Sequence, residues 1–380
     1  MKRLLLVGAG HAHALVLLDW MRRPLPGVDV TVVSPQAFAP YSGMVPGWLA
    51  GRYRPHEIGI DFEQLAARAG ARWQAGELHA LDADRRMATL ADGQVLPWDL
   101  LSLNVGSTLR PPLPSAAAAG GGDGPAVLAL RPLVRLLHEW PAWLQRLQPA
   151  PATRSLHVTA VGGGAAGFES LLAVLARLRA LHPQRHVSGR LVSQGRELLP
   201  GFAPRAVRAA HEALARAGVE LRLATPWHDG LAAGTDLVLW ATGAEPHDWQ
   251  ADPARRGGLA ADERGFLRVD AQLRSVSHPA VFAAGDCAAF VPPLPKAGVY
   301  AVRMGPHLAR NLRAALGDGR AADYLPQRRF LALLATGDGR AIASRGLLAA
   351  EGGWVWRWKD HIDRGFVARF SGGAAAAPPP

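Results

Sequence analysis

The chain has 380 residues, 49% hydrophobic and 19% charged, with a formal net charge of +11. That length supports more than one sizeable core, and the composition excludes a disordered or fibrous protein. Its one cysteine, Cys287, excludes an intramolecular disulfide, a dithiol centre and a cysteine zinc cluster. Lysine occurs only at positions 2, 296 and 359, amid abundant arginine, alanine and glycine. The positive balance therefore reads as compositional bias, and no nucleic-acid partner is expected. No stretch has the uninterrupted apolar length of a membrane-spanning helix. The basic-then-apolar N-terminus is broken at Gly8, so it reads as structure and the protein as cytoplasmic.

In chain order, Leu4–His13 (LLLVGAGHAH) is an apolar run, a turn holding Gly8 and Gly10, and the start of a helix. A strand feeding a glycine turn into a helix makes a dinucleotide pyrophosphate site. Gly8 permits the tight turn, Gly10 lets backbone approach the phosphates, and the helix start favours negative charge. His13 replaces the third glycine of the fingerprint, so this stretch alone also fits a buried turn without a ligand. His11 and His13 lack carboxylate or cysteine company, and no metal site is assigned. Val28–Ser34 suits the second parallel strand, and Ser34 stands where an acid commonly holds the adenosine ribose. Pro40–Gly51 (PYSGMVPGWLAG), which contains Met44, reads as a loop entering a short helix. Arg72–Leu81 and Met87–Leu96 read as short strands, the second interrupted by the Asp92-Gly93 turn. Trp98–Thr108 is a buried strand ending at Gly106. Ser115–Gly124 is low in complexity and reads as a flexible surface loop at a domain boundary.

The pattern then repeats. Leu156–Val161 is a buried strand followed by Gly162, Gly164 and Gly167 in full GxGxxG register, and by a helix to about Leu181. Val187–Ser193 is its second strand, again without an acid at its end. Arg196 just beyond fits either a 2′-phosphate or a solvated turn, which leaves NADH against NADPH open. Ala203–Ala217 reads as a helix, Val219–Ala224 as a strand, and Thr235–Gly243 as a buried strand ending at Gly243. Two fingerprints imply two dinucleotides, the arrangement hydride transfer requires.

His278–Phe290 (HPAVFAAGDCAAF) resembles the second flavin motif of the two-dinucleotide-domain flavoproteins, the glutathione-reductase-like group. The same resemblance runs through Gly8/Gly10, Val105-Gly106, Gly162/Gly164/Gly167, Ala241-Thr242-Gly243 and Gly285-Asp286, in this order. It implies an α/β fold of two Rossmann-like dinucleotide-binding domains with a small α+β C-terminal extension. Residues 1–114 and 251–320 would bind FAD and residues 125–250 NAD(P)H; residues 321–371 would form a hairpin and amphipathic helix, and 372–380 a disordered tail. Disulfide reductases carry a cysteine pair and sulfide:quinone reductases use cysteines at the flavin; this chain has neither. Pro40–Gly51 resembles the loop that covers the flavin in type II NADH dehydrogenases, and Leu294–Leu312 the helix that faces the isoalloxazine ring. Through GHAH, PYSGMVPG, PKAGVYAVR and LLATGDGRAIASRG the chain is most similar to type II NADH dehydrogenase-like flavoproteins, the branch also found fused to selenide, water dikinase.

The resemblance implies FAD contacts from Gly8, Gly10, His11, Ser34, Met44, Gly106, Asp286, Gly298 and Val299. It implies nucleotide contacts from Gly162, Gly164, Gly167 and Gly243, with Glu169 near the nicotinamide. A helix starting near Gly298 would aim free N–H groups at the flavin edge where charge accumulates on reduction. Lys296 would add a positive charge there, or stay a solvated loop lysine. Met304 stands where the branch carries glutamine, and Cys287 reads as a small buried residue.

Phe330–Leu348 reads as a hairpin around Gly337-Asp338-Gly339. Trp354–Phe370 is helical in pattern, with Trp354, Trp358, Ile362 and Phe366 along one face. With Arg357, Lys359, Arg364 and Arg369 nearby, it suits a membrane interface on the inner face of the cell membrane, as the resemblance also implies. The same stripe suits packing on the flavin domain or on a second subunit, which leaves a homodimer open. The expected activity is transfer of two electrons from NAD(P)H through FAD to a quinone, with Lys296 and Glu169 as candidate catalytic residues. The alternatives are a protein or selenium-compound acceptor, and a flavin-holding module that does not turn over.

Overall fold

In the computed structural model, which describes residues 1–112, 124–147 and 154–371, Lys2–Val7 (β1) is the middle strand of a parallel sheet. Its last four residues are buried, as befits a parallel strand covered on both faces. His11–Arg22 (α1) crosses back, and Val28–Ser34 (β2) pairs with β1 from Lys2 opposite Val28 to Val7 opposite Val33. Arg72–Ala75 (β3) extends the sheet beyond β2, and Leu100–Leu103 (β4) flanks β1 on the other side. The expected strand Arg72–Leu81 is split at Gly76. Leu78–Asp82 instead joins Met87–Leu90 and Val95–Pro97 in a separate antiparallel sheet. Gly76 makes that departure possible, because a Cβ there would lie 2.6 Å from Leu90 Cδ1.

The chain then builds a second parallel sheet. Ala126–Ala129 (β5) leads into Leu133–Arg146 (α2), Leu156–Val161 (β6) into Ala165–Leu181 (α3), and Val187–Val192 (β7), Val219–Arg222 (β8) and Leu237–Trp240 (β9) follow. The order is β5-β9-β6-β7-β8. The chain returns to the first sheet through Val281–Ala283 (β10), which pairs with β4. Gly298–Leu316 (α4) then packs along α1. Gly305 sets how close those helices come, since a Cβ there would sit 2.6 Å from Leu15 Cδ1. The two-Rossmann α/β fold expected from the sequence is the one observed. The expected loop Ser115–Gly124, apart from Gly124 itself, and the expected tail after Ser371 lie outside the described residues.

The C-terminal unit differs from expectation in two ways. The hairpin of Ala332–Ala335 (β11) and Ala341–Arg345 (β12) gains a third strand, Leu348–Gly352 (β13). The helix Gly353–Ala368 (α5) then docks with Val355, Lys359, Asp363 and Val367 buried. That stripe runs one residue ahead of Trp354, Trp358, Ile362 and Phe366. Trp354 and Trp358 are 53% and 39% exposed and stack on each other, ring centroids 6.3 Å apart. The buried charges tolerate this because they are paired. Lys359 Nζ donates to Asp363 Oδ2 at 2.7 Å and to the Gly43 carbonyl oxygen at 2.6 Å. Tyr53 donates to Asp360 at 2.6 Å and Arg364 to Glu57 at 3.1 Å, so α5 is fastened to the segment around Gly43–Glu57.

Removing one partner of a buried pair leaves an uncompensated charge, at a cost of about 3–5 kcal/mol. Lys359→Met should lower unfolding stability by about that much in urea titration, and Lys359→Met/Asp363→Leu should recover most of it.

Candidate functional site

Both glycine turns sit at the carboxyl ends of their sheets, where the strands finish level. Val7 lies opposite Val33 and Leu103, and Val161 opposite Val192 and Trp240. Gly8 has φ +100° and Gly162 φ +124°, a region that favours glycine. Each is also pressed by the neighbouring chain: a Cβ on Gly8 would lie 2.5 Å from the Asn104 carbonyl oxygen, and one on Gly162 would lie 2.4 Å from that of Ala241. The two halves thus repeat one packing solution.

They part company at the third fingerprint position. Gly167 brings α3 so near its turn that a Cβ would be 2.1 Å from the Gly162 carbonyl oxygen. In the first turn His13 occupies that place, fully buried, with Nδ1 2.7 Å from the Gly8 carbonyl oxygen and Nε2 2.8 Å from Ser102 Oγ. A carbonyl only accepts, so Nδ1 carries the proton and Nε2 accepts from the Ser102 hydroxyl. Burial lowers the His13 pKa to about 4, which keeps the ring neutral. The imidazole replaces a glycine contact by a hydrogen-bonded bridge, and neither nitrogen is left for a metal.

Asn104 completes this end of the sheet. Its Oδ1 accepts from the Ala12 and His13 N–H groups at 3.0 and 3.2 Å, and its Nδ2 donates to the Ala284 carbonyl oxygen at 2.7 Å. It therefore caps α1 from the residue that follows β4. Gly10 must be glycine for that, since a Cβ would stand 2.1 Å from Asn104 Oδ1.

The two turns open on one cavity of about 2330 Å³, more than twice the roughly 300–1,000 Å³ typical of a single small-ligand pocket. Gly8, Gly10, His11, Ser34 and Gly106 line it from the first half, and Gly162, Gly164, Glu169 and Gly243 from the second. The returning chain adds Asp286, Lys296 and Gly298. A Cβ at Gly106, Gly164 or Gly243 would meet no atom within 4 Å, so these backbone positions present bare amide groups to open space. Three expected residues are not on the wall. Met44 is buried in the apolar core with Val45 and Trp48, Val299 packs half-buried against the core around α1 and α4, and Gly167 serves the helix–turn contact. Arg196 is exposed and also off the wall, whereas Ser193 and Gln194 line it.

Asp286 is held by a residue that sequence reasoning missed. Arg131 Nη1 donates to Asp286 Oδ2 and to Ser107 Oγ, both at 2.7 Å, and Arg131 Nη2 donates to the Lys296 carbonyl oxygen at 2.9 Å. The available clue was position: Arg131 follows the carboxyl end of a strand, where open α/β sheets bind ligands. Lys296 is half-buried, not solvated. Its Nζ donates to the Ala288 carbonyl oxygen at 2.6 Å and lies 3.9 Å from the Phe266 ring centroid, and burial lowers its pKa. His11 is pushed to about 4 by burial and sits edge-on to Tyr41, 5.4 Å between centroids. Met304 is buried and its sulfur accepts from the Gly285 N–H. Cys287 is buried too, its thiol pushed up to about 11 by burial, so it is a packing residue.

Glu169, in the second turn of α3, accepts from the Ala335 N–H at 2.7 Å, which ties the second half to β11. Burial pushes its carboxyl up to about 7, against the opposing Lys359 ammonium. A carboxyl poised there can hold or release a proton near neutral pH.

Two parallel sheets whose glycine turns face across one cavity define a protein that handles two dinucleotides. Residues 2–311 match the family described as pyridine nucleotide-disulphide oxidoreductase, and the chain belongs to it. It is an oxidoreductase whose cofactors are FAD and NAD(P)H, and the bare amides and helix starts on the wall fit such groups. An NADH dehydrogenase-like protein of Mycobacterium tuberculosis is 30% identical over 319 residues, 76% of this chain and 73% of that one. A type II NADH:quinone oxidoreductase of Staphylococcus haemolyticus is 26% identical over 196 residues, 45% of this chain and 47% of that one. The structure of NDH2 from Plasmodium falciparum in complex with NADH has the same fold, with a TM-score of 0.76, 13% identity and 97% of each chain covered.

Asn104→Ala uncaps α1 and strands the buried Ala284 carbonyl, so thermal and urea unfolding should show a loss of about 2–4 kcal/mol. For Glu169, the native state binds the proton more tightly than the unfolded chain does. Its contribution is therefore full below the ordinary 4.5 and is lost as the pH rises through about 7. Wild type should lose stability relative to Glu169→Gln across that window in urea titrations, and a flat difference would refute the assignment.

Proposed function

We propose that this chain transfers a hydride from NAD(P)H, held on the second fingerprint, to FAD held on the first, and passes the two electrons to a quinone. The observation that carries this reading is the pair of glycine turns opening on one cavity, in a chain without a cysteine pair to relay electrons. Bound flavin supplies the two-electron chemistry, and positioning supplies the rate.

The roles follow from the wall. Gly8, Gly10 and His11 cradle the flavin pyrophosphate, and Gly106, Asp286 and Gly298 line the rest of that site. Arg131 holds Asp286 in place and bridges it to the Lys296 backbone. The start of α4 and the Lys296 ammonium support negative charge on the ring system. Gly162, Gly164 and Gly243 hold the nicotinamide nucleotide. Glu169 holds a proton beside it. Ser193 and Gln194 at the end of β7 offer no carboxylate to repel a 2′-phosphate, so the site accommodates NADPH as well as NADH. On this reading residues 1–114 and 251–320 carry FAD and residues 125–250 the nicotinamide.

Quinone as acceptor is supported by the similarity to proteins named NADH dehydrogenase-like and type II NADH:quinone oxidoreductase. No helix among the described residues is long and apolar enough to cross a membrane. The exposed Trp354–Trp358 stack beside Arg357 supports a peripheral contact with the cell membrane.

An anaerobic titration of the yellow protein with NADH and then NADPH tests the reading through the flavin's visible absorption. Bleaching by either nucleotide, with recolouring by a short-chain quinone, is the expected result. A flavin that neither nucleotide bleaches would sink it. Asp286→Ala should purify with little FAD, and a fully flavinated variant would remove that residue from the site.

A further inference from the structure

Ser34 ends β2, where an acidic side chain would take the adenosine ribose of a dinucleotide on the first turn. The side chain there is a hydroxymethyl group, so no carboxylate reaches the ribose from β2. A carboxylate does stand on the same wall, from another element. Glu139 lies midway along α2, which is laid across the segment that follows β2. Gln36, two residues beyond Ser34, meets the ring of His138 at 3.3 Å. Ser34, Gln36, His138 and Glu139 all line the cavity.

The Glu139 side chain is only 9% exposed. Its Oε1 accepts from Arg135 Nε at 2.6 Å, whereas its Oε2 is buried without a hydrogen-bond partner. Buried carboxylate oxygens are costly to leave unpaired, and an unpaired one on a residue that lines a cofactor cavity marks where a donor belongs. Vicinal ribose hydroxyls are donors of the right kind. Arg135 fixes the other oxygen and so orients the free one.

We propose that Glu139 is the ribose-binding carboxylate of the flavin site: its Oε2 accepts from the adenosine ribose hydroxyls of FAD and replaces the acid missing at Ser34. This rests on the reading that FAD occupies the first fingerprint. It also makes α2, which packs on the second sheet, a contributor to the cofactor bound by the first.

The test is flavin affinity. Protein stripped of flavin is titrated with FAD, and with an FAD analogue lacking the adenosine ribose hydroxyls, while flavin fluorescence is followed. Glu139→Gln keeps an acceptor for Arg135 and should weaken FAD by about 10- to 100-fold, the range for hydrogen bonds to a charged group. Wild type and Glu139→Gln should bind the analogue alike, and Ser34→Glu in the Glu139→Gln background should restore much of the FAD affinity. Unchanged FAD affinity in Glu139→Gln, or equal losses for FAD and analogue, would overturn the proposal while leaving the flavin site intact. Wild-type protein that takes up no FAD would overturn the reading on which it rests.

Discussion

The Asn104 carboxamide joins three pieces of chain that otherwise only lie near one another. It closes the first turn of α1, braces the backbone beside β10, and through its own carbonyl presses on Gly8. With Asn104 taking the Ala12 and His13 donors, the free end of α1 is narrowed to Ala9, Gly10 and His11 at the cavity. His13 adds the second brace, binding the helix to the Gly8 carbonyl and to Ser102 on β4. The irregular fingerprint is therefore a rigid one. The glycine it lacks is replaced by a neutral imidazole with both nitrogens satisfied.

The second turn reaches the same end by plain contact. Gly162 and Gly167 touch where Gly8 and His13 hydrogen-bond, so a shared backbone geometry is held in one half by sterics and in the other by a polar network. Buried networks of this kind specify one arrangement when every member is paired.

The C-terminal unit ties the halves together. Lys359 bonds the Gly43 backbone and Asp363, its charge reaches Glu169 on α3, and Glu169 in turn bonds β11. Gly43 and Glu169 line the cavity, so the Lys359–Asp363 pair of α5 stands behind its wall. The surface of the same helix carries the two stacked tryptophans. Its interior face sets one buried ion pair between Val355 and Val367, while Trp354 and Trp358 stand on its exterior.

Strand periodicity, the two glycine turns and the Gly285-Asp286 segment made the paired Rossmann architecture legible from residues alone, because turns that need positive φ and close approach tolerate few side chains. They also placed Gly8, Gly10, Gly162, Gly164, Gly106 and Gly243 on the eventual wall. What periodicity could not reveal was pairing at a distance. Lys359 and Asp363 read as surface charges until their contact with Gly43 is seen, and Arg131 reads as an ordinary arginine until the fold brings it to Asp286. The sequence determined which backbones could approach a dinucleotide, since that depends on local conformation. Only the tertiary structure decided which side chains stand at the cavity, since burial and partners far apart in the chain set whether a carboxylate such as Glu139 or Glu169 is solvated, paired or left buried with a free oxygen.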